Sequence, residues 1–464
     1  MNNRVGQLSP TEEIVDKIAA LKYEDLPEDV IVAVKRAFLD TIACIVAGSS
    51  YTSIPEMVAL IKKWGGADEA TILIYGDKVI APHAAFANGV MSKAVDLDDF
   101  HKSSSHVSEY IVPVLMAMAE LQKGASGKEF ITAYVAGAEP VHKIGALTGG
   151  IAQGSARGVY MGLAGKFGAA VSAAKLHRLN KEQIANALGL AYVMSSCWSL
   201  AKAAPVGTGA SYFEPGYQCQ LAVEHALMAE IGVTGPKEIL SGNLGVFQRF
   251  LNWCEVDPSL VMKDWGKRWQ LPDTVAKLYS ACGHTQAAIQ GMLDIMAEND
   301  INAQDIASIH LTVYPAAAEP VCGPERWDPK DERDAKYSIA YTVATVAFKR
   351  KVFVDDFTPE EIARRDIREL MSRVTAEIDP KMPAGVSTVT VKLRDGREIT
   401  KEGICKERAS WEDLTQKLNN CVSMSARPLP EDNLKQLVSK IQCLEEVEDI
   451  NTLTSLLISN KRHR

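Results

Sequence analysis

The stretch from Ser92 to Val114, SKAVDLDDFHKSSSHVSEYIVPV, crowds Asp96, Asp98, Asp99, His101 and His106 between a small-residue helical segment and an apolar one. It is either an ordinary solvated turn, since Asp and Ser are common cap and turn formers, or a polar site held by helices on both sides. A calcium loop fits poorly, because the run has no glycine at its sixth position and no glutamate at its twelfth. A magnesium-binding carboxylate cluster would suit an all-α prenyl-diphosphate enzyme, but such an enzyme wants a second acidic motif and none is clear. Acid–base chemistry suits the residue types: histidine titrates near operating pH, and neighbouring carboxylates orient it.

Two further stretches carry polar groups that could take part. RGVYMGLAGKFGAA (157–170) fails as a phosphate loop, with Tyr160 five residues before Gly165 and Phe167 where a Ser or Thr must hold the metal. Close helix packing accounts for its glycines and alanines but does not require Arg157, Tyr160 or Lys166. KLYSACGHTQAAIQGM (277–292) sets Cys282 two residues before His284. That spacing is no evidence for a thiol and its base, because such pairs are assembled in space. His284 and Gln286 are then either partly buried polar residues at a helix start, or His284 is an acid, base or carboxylate binder between two domains. Lys202, Lys277 and Arg157 are the cations best placed to grip carboxylates, although most lysines are merely solvated.

The elements that must position these groups are mostly helical. Ser9-Pro10-Thr11-Glu12 combines a capping serine, a proline at the first helical position and a glutamate three residues after the cap. A second helix runs through DVIVAVKRAFLDTIACIVAG, and further helices are expected at 54–65, 81–95, 109–123, 127–146, 162–177, 181–198 and 215–232. Beyond about residue 265 the pattern changes. ASIHLTVYP (307–315) and STVTVKLRDGREITKEG (387–403) alternate as strands, and Asp395-Gly396 between two alternating runs is a strong hairpin signal. Helices are expected between the strands at 283–299, 335–350 and 359–376, and again after about 410. A tail of three helices cannot readily bury its own core, so it is expected to dock on the first region. The expectation is a mainly α protein: one helical domain from 1–268 and 405–464, with an α+β domain over 269–404 inserted.

Composition narrows the partners. A hydrophobic fraction of 47% with 23% charged residues is that of a globular chain with a sizeable core. The net charge of −8 argues against nucleic acid, whose phosphates need a cationic face. An anionic substrate would have to be drawn in by local cations. Nine scattered cysteines without a C-x-x-C pair offer neither a disulfide framework nor a zinc site. No apolar run approaches the roughly 18 residues of a membrane span, and no signal peptide is evident. A cytoplasmic protein that binds neither membrane nor nucleic acid is expected.

Several motifs in order, RAFLDTIACIVAG, AAFANGVMSKAVDLDDFH, the GASG at 124–127, GKFGAAVSAAKL, LGLAYVMSS, the TGP at 234–236 and KLYSACGHTQAAI, resemble the MmgE/PrpD family over nearly the whole length. That family includes 2-methylcitrate dehydratase, cis-aconitate decarboxylase and iminodisuccinate epimerase. The resemblance implies a large helical domain from both chain ends with a smaller α+β lid. It also implies a site between the domains that handles small di- or tricarboxylates without metal or organic cofactor, and a homodimer. Asp96 matches the aspartate opening the D-x-D-D signature, His106 the histidine ten residues on, and His284 and Gln286 the H-x-Q of the dehydratase branch.

The chain departs from the family at Val159-Tyr160, where a histidine usually follows Gly-Phe. Ser211-Tyr212-Phe213-Glu214-Pro215-Gly216 replaces a K-P-x-H-x-G run, and Val107 replaces the proline after the signature histidine. An epimerase needs only removal and return of a proton beside a carboxylate, with cations steadying the enediolate-like intermediate. The retained Asp and His signature beside these losses therefore suggests a cofactor-independent epimerase of an iminodisuccinate-like dicarboxylate. His106 and Tyr160 would transfer protons, Asp96 would orient, His284 would assist, and Lys202, Lys277, Arg157, Gln286 and His101 would hold substrate. A dehydratase of a methylcitrate-like acid, a cis-aconitate-type decarboxylase and a helical binding protein with a lost site are the alternatives.

Overall fold

The computed structural model describes residues 8–104, 106–149, 163–194, 210–249 and 256–458. They fall into two compact units: the described residues up to 194 with 210–274 and 409–458 in one, and 275–408 in the other.

The first unit is helical. Its opening helix α1 (Pro10–Ala20) has the capping box that its sequence announces, with Ser9 and Glu12 serving each other's backbone N–H. It is followed by α2 (Glu28–Gly48), α3 (Ile54–Trp64), α4 (Ala81–Lys93), α5 (Ser108–Leu121), α6 (Gly127–Leu147), α7 (Leu163–Leu176), α8 (Lys181–Met194) and α9 (Ala210–Glu230). The centre of this unit is made by α2, α4, α5 and α6, whose side chains are buried nearly all round. A helix without a polar face belongs inside a bundle. The small residues have a specific use where α6 meets α7: a Cβ on Gly137 would lie 2.2 Å from the Gly168 carbonyl oxygen. Only glycine admits that approach, so the packing reading of GKFGAAVSAAK holds.

The second unit pairs helices with a mixed sheet. After α10 (Gln286–Glu298) comes β1 (Ile306–Val313), then α11 (Ile339–Lys349), β2 (Val374–Ile378), β3 (Val386–Leu393) and β4 (Glu398–Ile404). The strand order is β2-β1-β3-β4, with β2 parallel to β1 and the other neighbours antiparallel. The expected Asp-Gly hairpin joins β3 to β4, and Gly396 takes a φ of 92° in the turn. The helix expected over 359–376 is shorter than that. It breaks into Pro359–Ile362 and Arg365–Met371, and residues 374–378 instead form the edge strand β2. Pairing with β1 outweighs helical propensity there. Ile289, Met292, Leu311, Val389 and Val391 fill the core between helices and sheet.

The chain then returns to the helical unit through α12 (Trp411–Val422) and α13 (Glu431–Gln442). Both are strongly amphipathic, and Leu414, Leu418, Leu434 and Leu437 supply their buried faces. A buried ion pair fastens α12 to α2, with Lys417 Nζ 2.5 Å from Asp40 Oδ1. Among the described residues no helix is long and apolar enough to cross a membrane.

Candidate active site

The polar stretch between α4 and α5 is not a solvated turn. Asp96, Asp98 and Asp99 are each about 2% exposed, and His106 is only part-buried, with a side chain 14% exposed. Asp96 adopts a left-handed φ of 52°, a region that Asp tolerates better than most residues but that still costs energy. The N–H of Asp96 donates to the Lys93 carbonyl at 3.0 Å, which reverses the chain as α4 ends. That reversal folds the loop back over Lys93, the last residue of α4.

Lys93 becomes the centre of the cluster. Its Nζ lies 3.0 and 3.3 Å from the two oxygens of Asp98, 3.2 Å from Glu109 Oε2 and 3.9 Å from Asp96 Oδ1. One ammonium cannot neutralise three carboxylates. Burial, reinforced by the charge of Asp98 and a hydrogen bond with it, pushes the Glu109 carboxyl well above its ordinary range despite Lys93. Of the carboxyls around Lys93, Glu109 is thus the one pushed toward its protonated form. The donor atoms of Asp98, His106 and Glu109 lie within 4.8 Å of one another, a spacing that a divalent cation could use. Lys93 already supplies a positive charge to two of the three.

His106 is oriented by this arrangement. Its Nδ1 contacts Asp98 Oδ2 in an ion-pair geometry and lies 2.7 Å from the Asp99 carbonyl oxygen. Both partners are acceptors, so Nδ1 carries the proton and donates. Nε2 is then the atom at which this imidazole would take or give a proton, and the Asp98 carboxylate stabilises the imidazolium when it forms.

A second layer supports the loop. Ser108 Oγ donates to the Asp99 carboxyl and lies 2.6 Å from the Tyr134 hydroxyl. Burial, with the nearby Asp40 charge, pushes Asp99 up to about 7. Lys417 Nζ donates to the Leu97 carbonyl at 2.7 Å as well as to Asp40. On the other flank Lys166 is 2.6 Å from Glu214, which accepts at 3.1 Å from the Tyr110 hydroxyl. Gly165 makes room here, since a Cβ on it would lie 3.0 Å from the Tyr110 ring and 3.2 Å from the His106 carbonyl oxygen.

Asp96 and His106 thus border the same cluster, Asp96 through Lys93 and His106 through Asp98, but not every expected residue joins them. His101 is buried, with both ring nitrogens used: Nε2 donates to the Gln270 carbonyl at 2.9 Å, and Nδ1 accepts from the Ser103 N–H at 3.1 Å. Its ring stacks on His142 at 4.0 Å, and burial lowers the pKa of both, keeping them neutral. That geometry supports internal packing rather than a hold on substrate. Tyr160, Arg157 and Lys202 lie outside the described residues. The sequence reading did not single out Lys93, Glu109 or Lys417. The only cue in the chain is spacing, with Lys93 three residues before Asp96 and Glu109 three after His106.

In the α+β unit, His284 Nδ1 lies 2.7 Å from the Tyr314 hydroxyl. That hydroxyl accepts from the Gly385 backbone, and burial holds its pKa high, so Tyr314 donates and His284 carries its proton on Nε2. Burial and then the Lys277 charge push His284 down to about 4, which makes it a neutral hydrogen-bond donor. Lys277 itself is buried. Gln286 is spent on its own chain: its amide donates to the carbonyls of Tyr279 and Ala281 and accepts from the Tyr279 N–H.

Comparison with known proteins places the chain. Residues 12–259 match the MmgE/PrpD N-terminal domain and residues 279–445 the MmgE/PrpD C-terminal domain. The mouse cis-aconitate decarboxylase is 25% identical over 472 residues, covering 97% of this chain and 93% of the mouse protein. The human cis-aconitate decarboxylase is 26% identical, covering 97% and 94%, and that of Aspergillus terreus is 23% identical, covering 96% and 95%. These relatives carry the decarboxylase name, not that of the epimerase favoured by the motif departures. The chain belongs to the MmgE/PrpD family.

Proposed function

We propose that this MmgE/PrpD enzyme is a lyase that removes a carboxylate from a small unsaturated tricarboxylate of the cis-aconitate kind, with His106 delivering the proton that replaces it. The family acts on small carboxylates, and relatives that align along nearly the whole chain support decarboxylation over epimerisation. The observation that carries the reading is the Asp98–His106 pair, in which the carboxylate fixes Nδ1–H and stabilises the imidazolium. The carbon–carboxylate bond breaks, carbon dioxide leaves, and the electron pair spreads over the neighbouring double bond and a remaining carboxylate. His106 Nε2–H then protonates the carbon. A positioned general acid of this kind contributes about 10²–10⁴-fold. In the α+β unit, His284 is a neutral Nε2–H donor, chemistry that suits an anionic partner.

One observation keeps proton exchange without decarboxylation as a second reading. Glu214 stands where the family run has a histidine, and it is tied to Lys166 and Tyr110. A carboxylate at that place suits a substrate with two carboxylates better than one with three, as an epimerase of a dicarboxylate requires. Proton NMR in heavy water against cis-aconitate, 2-methylcitrate and chiral iminodicarboxylates separates the readings. Carbon dioxide with one deuterium in the product supports the lyase, and scrambling at a stereocentre without loss of carbon supports the epimerase. His106→Gln should lower the observed rate by about 10²–10⁴-fold with the melting temperature nearly unchanged. Full activity in that variant removes His106 from the chemistry.

A further inference from the structure

The loop that carries Asp98 is gripped from beneath by a residue more than three hundred positions away. Lys417, on α12, is 3% exposed, and its ammonium has two described partners, Asp40 Oδ1 at 2.5 Å and the Leu97 carbonyl oxygen at 2.7 Å. Leu97 immediately precedes Asp98. On the other side of Asp98, the Asp99 carboxyl is held by Ser108 and the Asp99 carbonyl oxygen receives the His106 Nδ1–H. Asp98 therefore sits between two anchored residues, one fixed to α5 and one to α12.

From this geometry we infer that Lys417 is a positioning residue, whose hydrogen bond to the Leu97 carbonyl sets the place of Asp98 and, through it, the aim of His106. The inference rests on the reading of Asp98 and His106 given above. A surface tail needs no charge at its docking face, and an ion pair alone would need no third partner. A buried lysine brings a large desolvation cost, and it is tolerated here because Asp40 compensates it. The left-handed turn at Asp96 adds to the demand, because such a conformation persists only where its surroundings over-determine it. Asp40 is the counter-ion and Leu97 is the target.

Three variants separate the pin from the ion pair. Asp40→Asn keeps the nitrogen on the Leu97 carbonyl and removes the counter-ion. Lys417→Met removes the pin and strands Asp40. The double variant removes the pin with no charge left behind. Asp40→Asn should retain kcat within a few-fold while lowering the melting temperature. The double variant should recover much of the melting temperature lost by Lys417→Met. It should still show kcat lowered about 10²-fold, KM changed far less, and faster hydrogen exchange in amides 94–104. Wild-type kcat and wild-type exchange in the double variant would overturn the inference. So would losses of activity in all three variants that simply follow their melting temperatures. Exchange in 94–104 is read without substrate, so it stands even if no tested acid is turned over. Faster exchange in the double variant beside normal turnover in His106→Gln would leave the pin in place and overturn the reading of His106 instead.

Discussion

Replacing Asp98 by asparagine tests the centre of the site without changing its shape. Asp98 meets His106 Nδ1 with one oxygen and Lys93 with both, at 3.0 and 3.3 Å. Asparagine has one acceptor for these two donors. If its oxygen stays on Nδ1, its NH₂ faces the Lys93 ammonium; if it turns, NH₂ faces Nδ1–H. Either way His106 loses a charged partner. A charge-assisted hydrogen bond contributes about 1.5–3 kcal/mol, which corresponds to about 10–10²-fold in rate. If the turned amide also drives the proton from Nδ1 to Nε2, the cost approaches the full 10²–10⁴-fold of a general acid–base group. Initial rates of carbon dioxide release across pH 5.5–8.5 should therefore fall by at least about tenfold. The pH above which activity declines should move down, because the imidazolium has lost its carboxylate. Folding should change little, since Glu109 is 3.2 Å from Lys93 and can ionise to pair with it. An Asp98→Asn enzyme with wild-type kcat/KM and an unmoved pH profile would refute the assignment of Asp98 as the group that orients His106.

Other outcomes follow from the same charges. Glu109→Gln should keep kcat/KM within about fivefold, because a neutral carboxyl and an amide both donate to Asp98; a loss above about 10²-fold would mean that Glu109 works ionised. Asp99 has a folded pKa raised to about 7 against an ordinary value near 3.8, so the folded state holds its proton more tightly than the unfolded state. Its contribution is therefore fully present below the unfolded value and is lost as pH rises through about 7. Asp99→Asn should gain stability relative to the parent between pH 4 and 7, by up to about 1.4 kcal/mol per pH unit. Urea unfolding of both proteins at several pH values measures this, and a difference that does not vary with pH sinks it. Tyr314→Phe should release the His284 proton from Nε2, because His284 would lose the donor to its Nδ1; nitrogen NMR of the imidazole reads the tautomer, and an unchanged tautomer refutes the assignment.

How much of this was legible in the chain depends on the kind of interaction. The helices and the β3–β4 hairpin follow from periodicity, caps and one Asp-Gly pair, which are local signals. Strand β2 was missed because an edge strand takes its identity from the neighbour it pairs with, here β1, across more than sixty residues. The acidic loop could be flagged as a site, but its electrostatics could not. Whether Glu109 is an anion or an acid is decided by how many carboxylates share one ammonium and how little water reaches them, and neither quantity is written in the spacing of residues. Motif resemblance points to Asp96 and His106, yet the oxygen that meets Nδ1 belongs to Asp98, two residues further along. His101 lies as close to these residues in sequence, and its nitrogens are turned to Gln270 and Ser103 instead. A loop fixed at both Leu97 and Asp99 has little freedom to choose among its acids. The anchors, and Lys417 in particular, decide which of three neighbouring aspartates becomes the partner of the histidine.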